Sequence, residues 1–392
     1  MTTTDSPARQ AARRHRRRVA AFVAVLVTAM ALLFGAPLWT LVLAPSWPVP
    51  VTVVAAVALG LGALTLPLLM YRGHGKGSDP AACTGDALLG VIWVLFAWSV
   101  LGAVAGGVLR GVGVATPAVD RVVAVAVLAI AAVLLVWGYF EAMRVPRVRT
   151  VEVGIGGLGS GLDGARVVLI TDTHYGPIDR VRWSARVVEV VNSLDADVAC
   201  HTGDIADGSV AARQEQSRHL ADVRARLART YVTGNHEYFG EADGWLAHMT
   251  ELGWEALHNR HIVVERGGAR LVVAGVDDRT AKGSGRPGHG ADHGAALAGA
   301  PDGVPVLLLA HQPKQVDAAI SHGVDLQISG HTHGGQMWPF HLLVRVDQPT
   351  LHGLTRHGER TQLYTSRGTG FWGPPFRIFA PSEITLLILR TA

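Results

Sequence analysis

The chain has 392 residues, a formal charge of +4 and 49% hydrophobic residues, an apolar share too high for an ordinary soluble domain. The positive balance does not mark a nucleic-acid binder, because Arg9, Arg13, Arg14, Arg16, Arg17 and Arg18 form one run directly before an apolar segment, which is a membrane-topology signal. Only two cysteines, Cys83 and Cys200, are present, which excludes a disulfide framework.

After the basic residues 1–18, charge almost vanishes until residue 143. Four apolar stretches, 19–44, 50–71, 87–109 and 122–140, are each long enough to cross about 30 Å of hydrocarbon at about 1.5 Å per helical residue. Gly60, Gly62, Gly106 and Gly107 lie inside them, where small residues let membrane helices approach. The first stretch is too long for a secretory signal core, and three more follow it. Arg72 and Lys76 between spans two and three, and Arg144, Arg147 and Arg149 after span four, put both segments on the same cytoplasmic side as the N-terminal arginines. Asp86 and Glu141 stand at span ends, so this half reads as an anchor rather than a transporter.

Residues 144–164 form a linker with a first strand, and from 165 the pattern changes to that of a globular domain running to 392. Ala165–Thr171 reads as a strand, its apolar run typical of a sheet covered on both faces. A helix follows at 180–194, a strand at 196–201, a second helix at 211–228, a strand at 229–233 and a helix near 241–252. Residues 261–266 and 270–276 flank Gly267-Gly268 as a hairpin. A strand at 304–310, a helix at 314–321 and strands at 324–329, 361–366, 376–380 and 384–390 complete the series, with 281–300 as a loop. The order is α/β first and β-rich later, which predicts two packed sheets flanked by helices.

Metal-ligating residue types recur where these strands end: Asp172 and His174, then Asp204 after Gly203, then Asn235 and His236, then His311, then His331 and His333. Carboxyl ends of strands are where α/β sites assemble. A pair of divalent ions needs one carboxylate to bridge and neutral nitrogen and oxygen donors to limit the negative charge. Asp204 suits the bridge, and no cysteine joins the set, which argues against a structural zinc site.

The series Asp-x-His, Gly-Asp, Gly-Asn-His-Glu, His and Gly-His-x-His resembles the calcineurin-like metallophosphoesterase superfamily over roughly 165–391. Ser329–Gln336, Ser366-Arg367-Gly368 and Pro381–Ile384 are similar to its bacterial membrane-associated branch. The resemblance implies a four-layer αββα double β-sandwich behind the four transmembrane helices. It implies one ion on Asp172, His174 and His333, another on Asn235, His311 and His331, Asp204 bridging, and His236 as the catalytic histidine that binds no metal. The implied cofactors are two divalent ions, manganese, iron or zinc. Thr173 and Tyr175 depart from the apolar residues more usual there, which bears on pocket shape rather than ligation.

The expected activity is metal-dependent hydrolysis of a phosphoester or pyrophosphate, with a phosphorylated small molecule or phospholipid as partner, at the inner membrane with the catalytic domain in the cytoplasm. Members of the superfamily such as the UDP-diacylglucosamine pyrophosphatases favour a lipid-linked substrate. A tethered phosphodiesterase of nucleotides or other soluble esters is the alternative, and an inactive phosphoesterase-like receptor or scaffold is the reading from another class. Arg367 is read as a solvated surface residue near a turn, with a phosphate contact as the alternative, and Asp277-Asp278 as the end of a strand, with a supporting role at the site as the alternative. Glu237 is expected to orient the site or cap the next helix, and His201, His219, His248, His258 and His261 are expected in packing or surface roles.

Overall fold

Long uncharged runs have few ways to satisfy their backbone other than as helices, and the computed structural model folds them so. It describes residues 7–114 and 118–392. The expectation for residues 1–6, and for the side chains of Arg9, Arg14 and Arg18, lies outside the described residues. Helices α1 (Pro7–Pro37), α2 (Val49–Met70), α3 (Asp79–Gly111) and α4 (Ala118–Met143) contain four stretches long and apolar enough to span a membrane. Contacts divide the chain into one unit of Met1–Gly75 with Thr84–Leu135 and another of Lys76–Cys83 with Val136–Ala392.

In the first unit the helices meet through Phe34, Leu66 and Ile92 in one cluster and Leu41, Val42, Ala124 and Val127 in another. The close approach falls on Gly102, where a Cβ would sit 2.8 Å from Val127 Cγ2 and 2.9 Å from Val123 Cγ1. Gly62 is also tight, against the Phe34 ring, but Gly60 and Gly107 face open space and Gly106 makes only ordinary contact. The glycine expectation is thus corrected: composition marks small residues but not which helix face they occupy. Asp86 is not at a helix end either. Because α3 begins at Asp79, Asp86 lies two turns inside, buried and 2.9 Å from His74.

The second unit contains two mixed six-stranded sheets. In the first, β1 (Arg147–Ile155) runs parallel to β12 (Glu383–Thr391), which is antiparallel to β2 (Arg166–Ile170). Parallel strands β3 (Val198–His201), β4 (Ala228–Tyr231) and β5 (Glu255–Ala256) follow. The second sheet runs β10 (Gly353–His357), β11 (Thr361–Thr365), β9 (Leu326–Ser329), β8 (Val306–Leu309), β7 (Ala269–Gly275) and β6 (Arg260–Arg266).

Strand periodicity explains why β2, after Arg166, and β8 are continuously apolar. Side chains alternate between faces. Val167, Leu169, Leu307 and Leu309 share the core between the sheets. Val168 and Ile170 point the other way, under Trp183, Val187, Val188 and Val191 of α5 (Val181–Asn192). Val306 and Leu308 pack outward with Ala296 of α9 (His293–Leu297) and Ala319 of α10 (Val316–Ser321). The result is helix, sheet, sheet and helix, the four-layer order expected. Each such side chain, fully buried, contributes roughly 1.5–3 kcal/mol.

Other local expectations need correction. The 211–228 helix is only α6 (Val210–Ser217) and a 3₁₀ turn to Asp222, and within α6 Arg213 turns inward to grip Asp79 with bonds of 2.8 and 2.5 Å. Residues 376–380 are not a strand: one bridge, Met337 to Ile378, is all their pairing, while Arg377 is swallowed by the core. The 281–300 segment holds a 3₁₀ turn and α9. Helix α8 (Ala242–Glu251) falls where the helix near 241–252 was expected, whereas strands β5 and β10, α7 (Asn235–Phe239) and α11 (His341–Asp347) were not expected.

Candidate metal centre

Each parallel strand ends in a loop that crosses to its neighbour. The amides of Asp172, His174 and Tyr175 donate to the carbonyls of Gly203, Asp204 and Ile205 at 3.0, 3.2 and 2.8 Å, so the first two motif loops run side by side. Fully buried Glu237 accepts the amides of Asp204, Ile205 and Gly234 at 3.0, 2.8 and 2.6 Å and ties in the third loop. It both orients the site and caps α7, so the two roles expected for it are one arrangement. The Asp172 carboxylate accepts the amide of His331 at 2.9 Å, joining the two sheets. Gly330 must lack a Cβ, which would stand 2.0 Å from Asp172 Oδ2.

Backbone strain concentrates here. Asp172, His174, Asp204, His331 and His333 all hold positive φ, between 42° and 70°. Non-glycine residues in that region cost of order 1–3 kcal/mol each and persist where surrounding structure fixes them.

Two groups of donors result. Donor atoms of Asp172, His174 and His333 lie within 4.8 Å of one another, and so do those of Asp204, His311 and His331. His174 Nε2 is 3.1 Å from His333 Nε2, and His311 Nε2 is 3.2 Å from Asn235 Oδ1. Asp204 Oδ2 stands between the groups, 3.6 Å from His174 Nε2 and 3.2 Å from His311 Nε2.

Nitrogen and carboxylate donors buried and turned on each other fit divalent cations, which would relieve their mutual crowding. The tautomers agree for two rings. His174 Nδ1 donates to Asp207 at 2.9 Å and His311 Nδ1 to the Thr202 carbonyl at 2.8 Å, which turns both Nε2 atoms inward. His333 differs, since its Nδ1 accepts from the Arg377 guanidinium at 3.0 Å. Ligation through its Nε2 therefore displaces a proton.

The electrostatics are strong because the site is buried. Burial alone would lower the His311 imidazole, but the Asp204 carboxylate outweighs it and lifts the group to about 10. Burial, reinforced by neighbouring His311, pulls His331 down to about 3, and burial with His174 and Arg377 nearby takes His333 well below its usual range. Burial raises Asp172. Asp204 is held well below the carboxylate range because His311 and His236 overcome its burial.

His236 sits at the rim. Its Nδ1 is 2.7 Å from Asp207 Oδ1, its Nε2 is 4.0 Å from Asp204 Oδ2, and its amide donates to Asp204 Oδ1 at 2.8 Å. Burial works against its charge, and the carboxylates of Asp204 and Asp207 raise it to about 9. Phe239 and Trp372 flank it with ring centres 5.0 and 6.0 Å away. Gln336 fixes the Trp372 segment by bonding its amide and carbonyl at 2.9 and 2.7 Å.

All eight residues singled out from sequence therefore gather at one end of the sheets. Asp207 was missed, although it lies three residues beyond Asp204 on the same loop and serves both His174 and His236. Arg377, fully buried behind His333, was also missed and has no local signal. Arg367 packs beside Gly334, and its Nη2 lies 3.3 Å from His352. Thr173 bonds the Ile205 carbonyl at 2.9 Å and Tyr175 reaches Ser184 at 2.7 Å, neither joining the donor groups. His201, His248 and His261 pack through Gly203, Ser217 and the Ala296 carbonyl, and His219 faces Asp222. His258 instead joins Asp277 and His289.

Residues 165–335 match the family model of the calcineurin-like phosphoesterases. This part of the chain belongs to that family. A protein of Danio rerio named "Transmembrane protein with metallophosphoesterase domain" is 38% identical over 271 residues, 68% of this chain and 62% of that one. A metallophosphoesterase of Helicobacter pylori is 36% identical over 253 residues, 64% of this chain and 66% of that one. The chain thus spans about three fifths to two thirds of these relatives. A solved dimetal phosphatase from Danio rerio aligns with 53% of this chain and 88% of its own at a TM-score of 0.36 and 14% identity, a likeness too slight to bear on function. The chain therefore carries a metallophosphoesterase domain and four possible membrane spans, and has relatives named as transmembrane proteins.

Proposed function

We propose that the chain hydrolyses phosphate esters or anhydrides carried on an amphiphile at the membrane surface. Asp172, His174 and His333 hold one divalent cation, Asn235, His311 and His331 a second, and Asp204 bridges them. Bound cations there supply Lewis acidity, giving a more acidic water for attack and neutralised charge on the phosphoryl oxygens. Manganese, iron and zinc all suit such nitrogen and oxygen donors.

The chain's own part is positioning and proton delivery. Asp207 accepts from Nδ1 of His236, which fixes the ring and leaves the Nε2 proton for the departing oxygen, a role worth about 10²–10⁴-fold. Glu237 and the crossing loop amides hold the donors in a geometry their backbones would not adopt alone.

The observation that carries the substrate class is the apolar rim beside His236, where Phe239 is 74% and Trp372 46% exposed. Leu342, Leu343 and Val346 on α11, and Trp137 at the end of α4, 5.5 Å from Phe379, are further exposed apolar residues of the same unit. Arg213 also grips Asp79 at the start of α3. Anchorage at the start of α3 and the end of α4 supports placing both on one side of the membrane, which the arginines 144, 147 and 149 assign to the cytoplasm of a multi-pass inner-membrane protein.

Turnover of one phosphorylated headgroup with and without its acyl chains tests the reading. Greater efficiency toward the acylated form is expected. Equal efficiency would leave a tethered phosphodiesterase of nucleotides or other soluble esters.

A further inference from the structure

A second cluster of metal-ligating side chains stands apart from the residues above. Asp277 follows β7, is 1% exposed at its side chain, and turns its carboxylate toward two imidazoles. His258 Nδ1 lies 2.6 Å from Oδ1 and His289 Nδ1 3.9 Å from Oδ2. The two rings are 4.6 Å apart centre to centre, and one donor atom from each of the three residues falls within 4.8 Å of the others.

The far side of His289 fixes its tautomer. Nε2 donates to Asp243 Oδ1 at 2.9 Å, so Nδ1 keeps its lone pair and accepts from the Tyr238 hydroxyl at 3.0 Å. A carboxylate behind a histidine is the arrangement that orients metal-ligating imidazoles. Tetrahedral zinc with bonds of about 2.0–2.1 Å separates its donor atoms by about 3.3 Å. The distances of 2.6 and 3.9 Å bracket that value, so small side-chain shifts suffice. A cavity of about 460 Å³ opens beside the cluster, lined by His258, Asn259, Lys282, His289 and Asp292, and gives an ion entry.

The geometry points to a zinc site at His258, Asp277 and His289, separate from the phosphoesterase centre, with its fourth position open to Tyr238 or water. Two imidazoles and one carboxylate are a zinc-type donor set. The residues come from the turn after β5, the end of β7 and the segment before α9. Their loops are already joined where Asn259 donates to the Gly290 carbonyl at 2.7 Å and Gly290 donates to Asp277 at 2.9 Å. A bound ion clamps residues 281–292 onto the sheet.

The test uses the full chain in detergent, stripped with chelator, reloaded with zinc, desalted and analysed for zinc per chain. His258→Ala and His289→Asn each hold one equivalent less than the unaltered chain. Zinc slows amide exchange across 281–292 in the unaltered chain and in Asp204→Ala, but in neither histidine variant. Because Asp204→Ala keeps this protection, the site stands or falls separately from the phosphoesterase centre. Equal zinc in all chains would overturn the site and leave a hydrogen-bonded brace. Should a histidine variant fold poorly, the unaltered chain decides: zinc-dependent protection at 281–292 supports the site, and its absence overturns it.

Discussion

Ionisable groups stand in opposite places in the two units. In the four-helix unit they pair near helix ends, Arg110 with Asp120 and Arg121 with the carbonyls of Pro45 and Ser46, while Asp86, buried inside α3 beside the exposed His74, is the exception among the described residues. In the phosphoesterase unit Asp172, His174, Asp204, His311 and His333 are all buried at one end of two sheets. The first unit is specified by an apolar average that many sequences meet. The second depends on single atoms, because an unpaired buried charge is costly and these groups hold one another in place. Substitutions should accordingly act on stability in one unit and on chemistry in the other.

The largest effect is expected at Asp204→Ala. Turnover should fall to background, beyond the roughly 10²–10⁴-fold that proton transfer alone is worth, and elemental analysis should show cation loss. Normal turnover with full cation content would remove the bridging role.

His236→Ala should lose on the order of 10²-fold or more in kcat while keeping its cations. Loss of metal as the main defect would make His236 a ligand instead. Asp207→Asn should lose less, about 10–100-fold, since it acts by orienting His174 and His236. Single-turnover rates and cation affinity measured on the same sample separate its two partners.

At the other end of the scale, Gly102→Val should leave turnover unchanged below the melting transition. Crowding against Val127 and Val123 should destabilise the helical unit by about 1–3 kcal/mol, read as a lower Tm in detergent. A lost turnover with an unchanged Tm would show that the two units are not divided as described.

How much of this the sequence discloses follows the same division. Spans are visible as long apolar runs because length and composition alone define them. Strand β2 is visible because both its faces are covered, and the donor residues because each follows such a strand. What stays hidden is set by distant contact. Arg213 reaches Asp79 across 134 residues, Arg377 is buried behind His333, and His258, Asp277 and His289 meet without any regular spacing. The positive φ of Asp172, His174, Asp204, His331 and His333 is likewise invisible, since no glycine announces it. Asp207 was within reach, as a carboxylate one short turn beyond Asp204.

In the proposed function, buried donors at the ends of these strands hold cations that the reaction requires. Chelator-stripped full-length protein, assayed on a simple phosphodiester while manganese is titrated back, tests it most directly. Activity absent after stripping and restored in step with cation binding, with no restoration in Asp204→Ala, is the predicted result. Undiminished turnover by the stripped chain would contradict it.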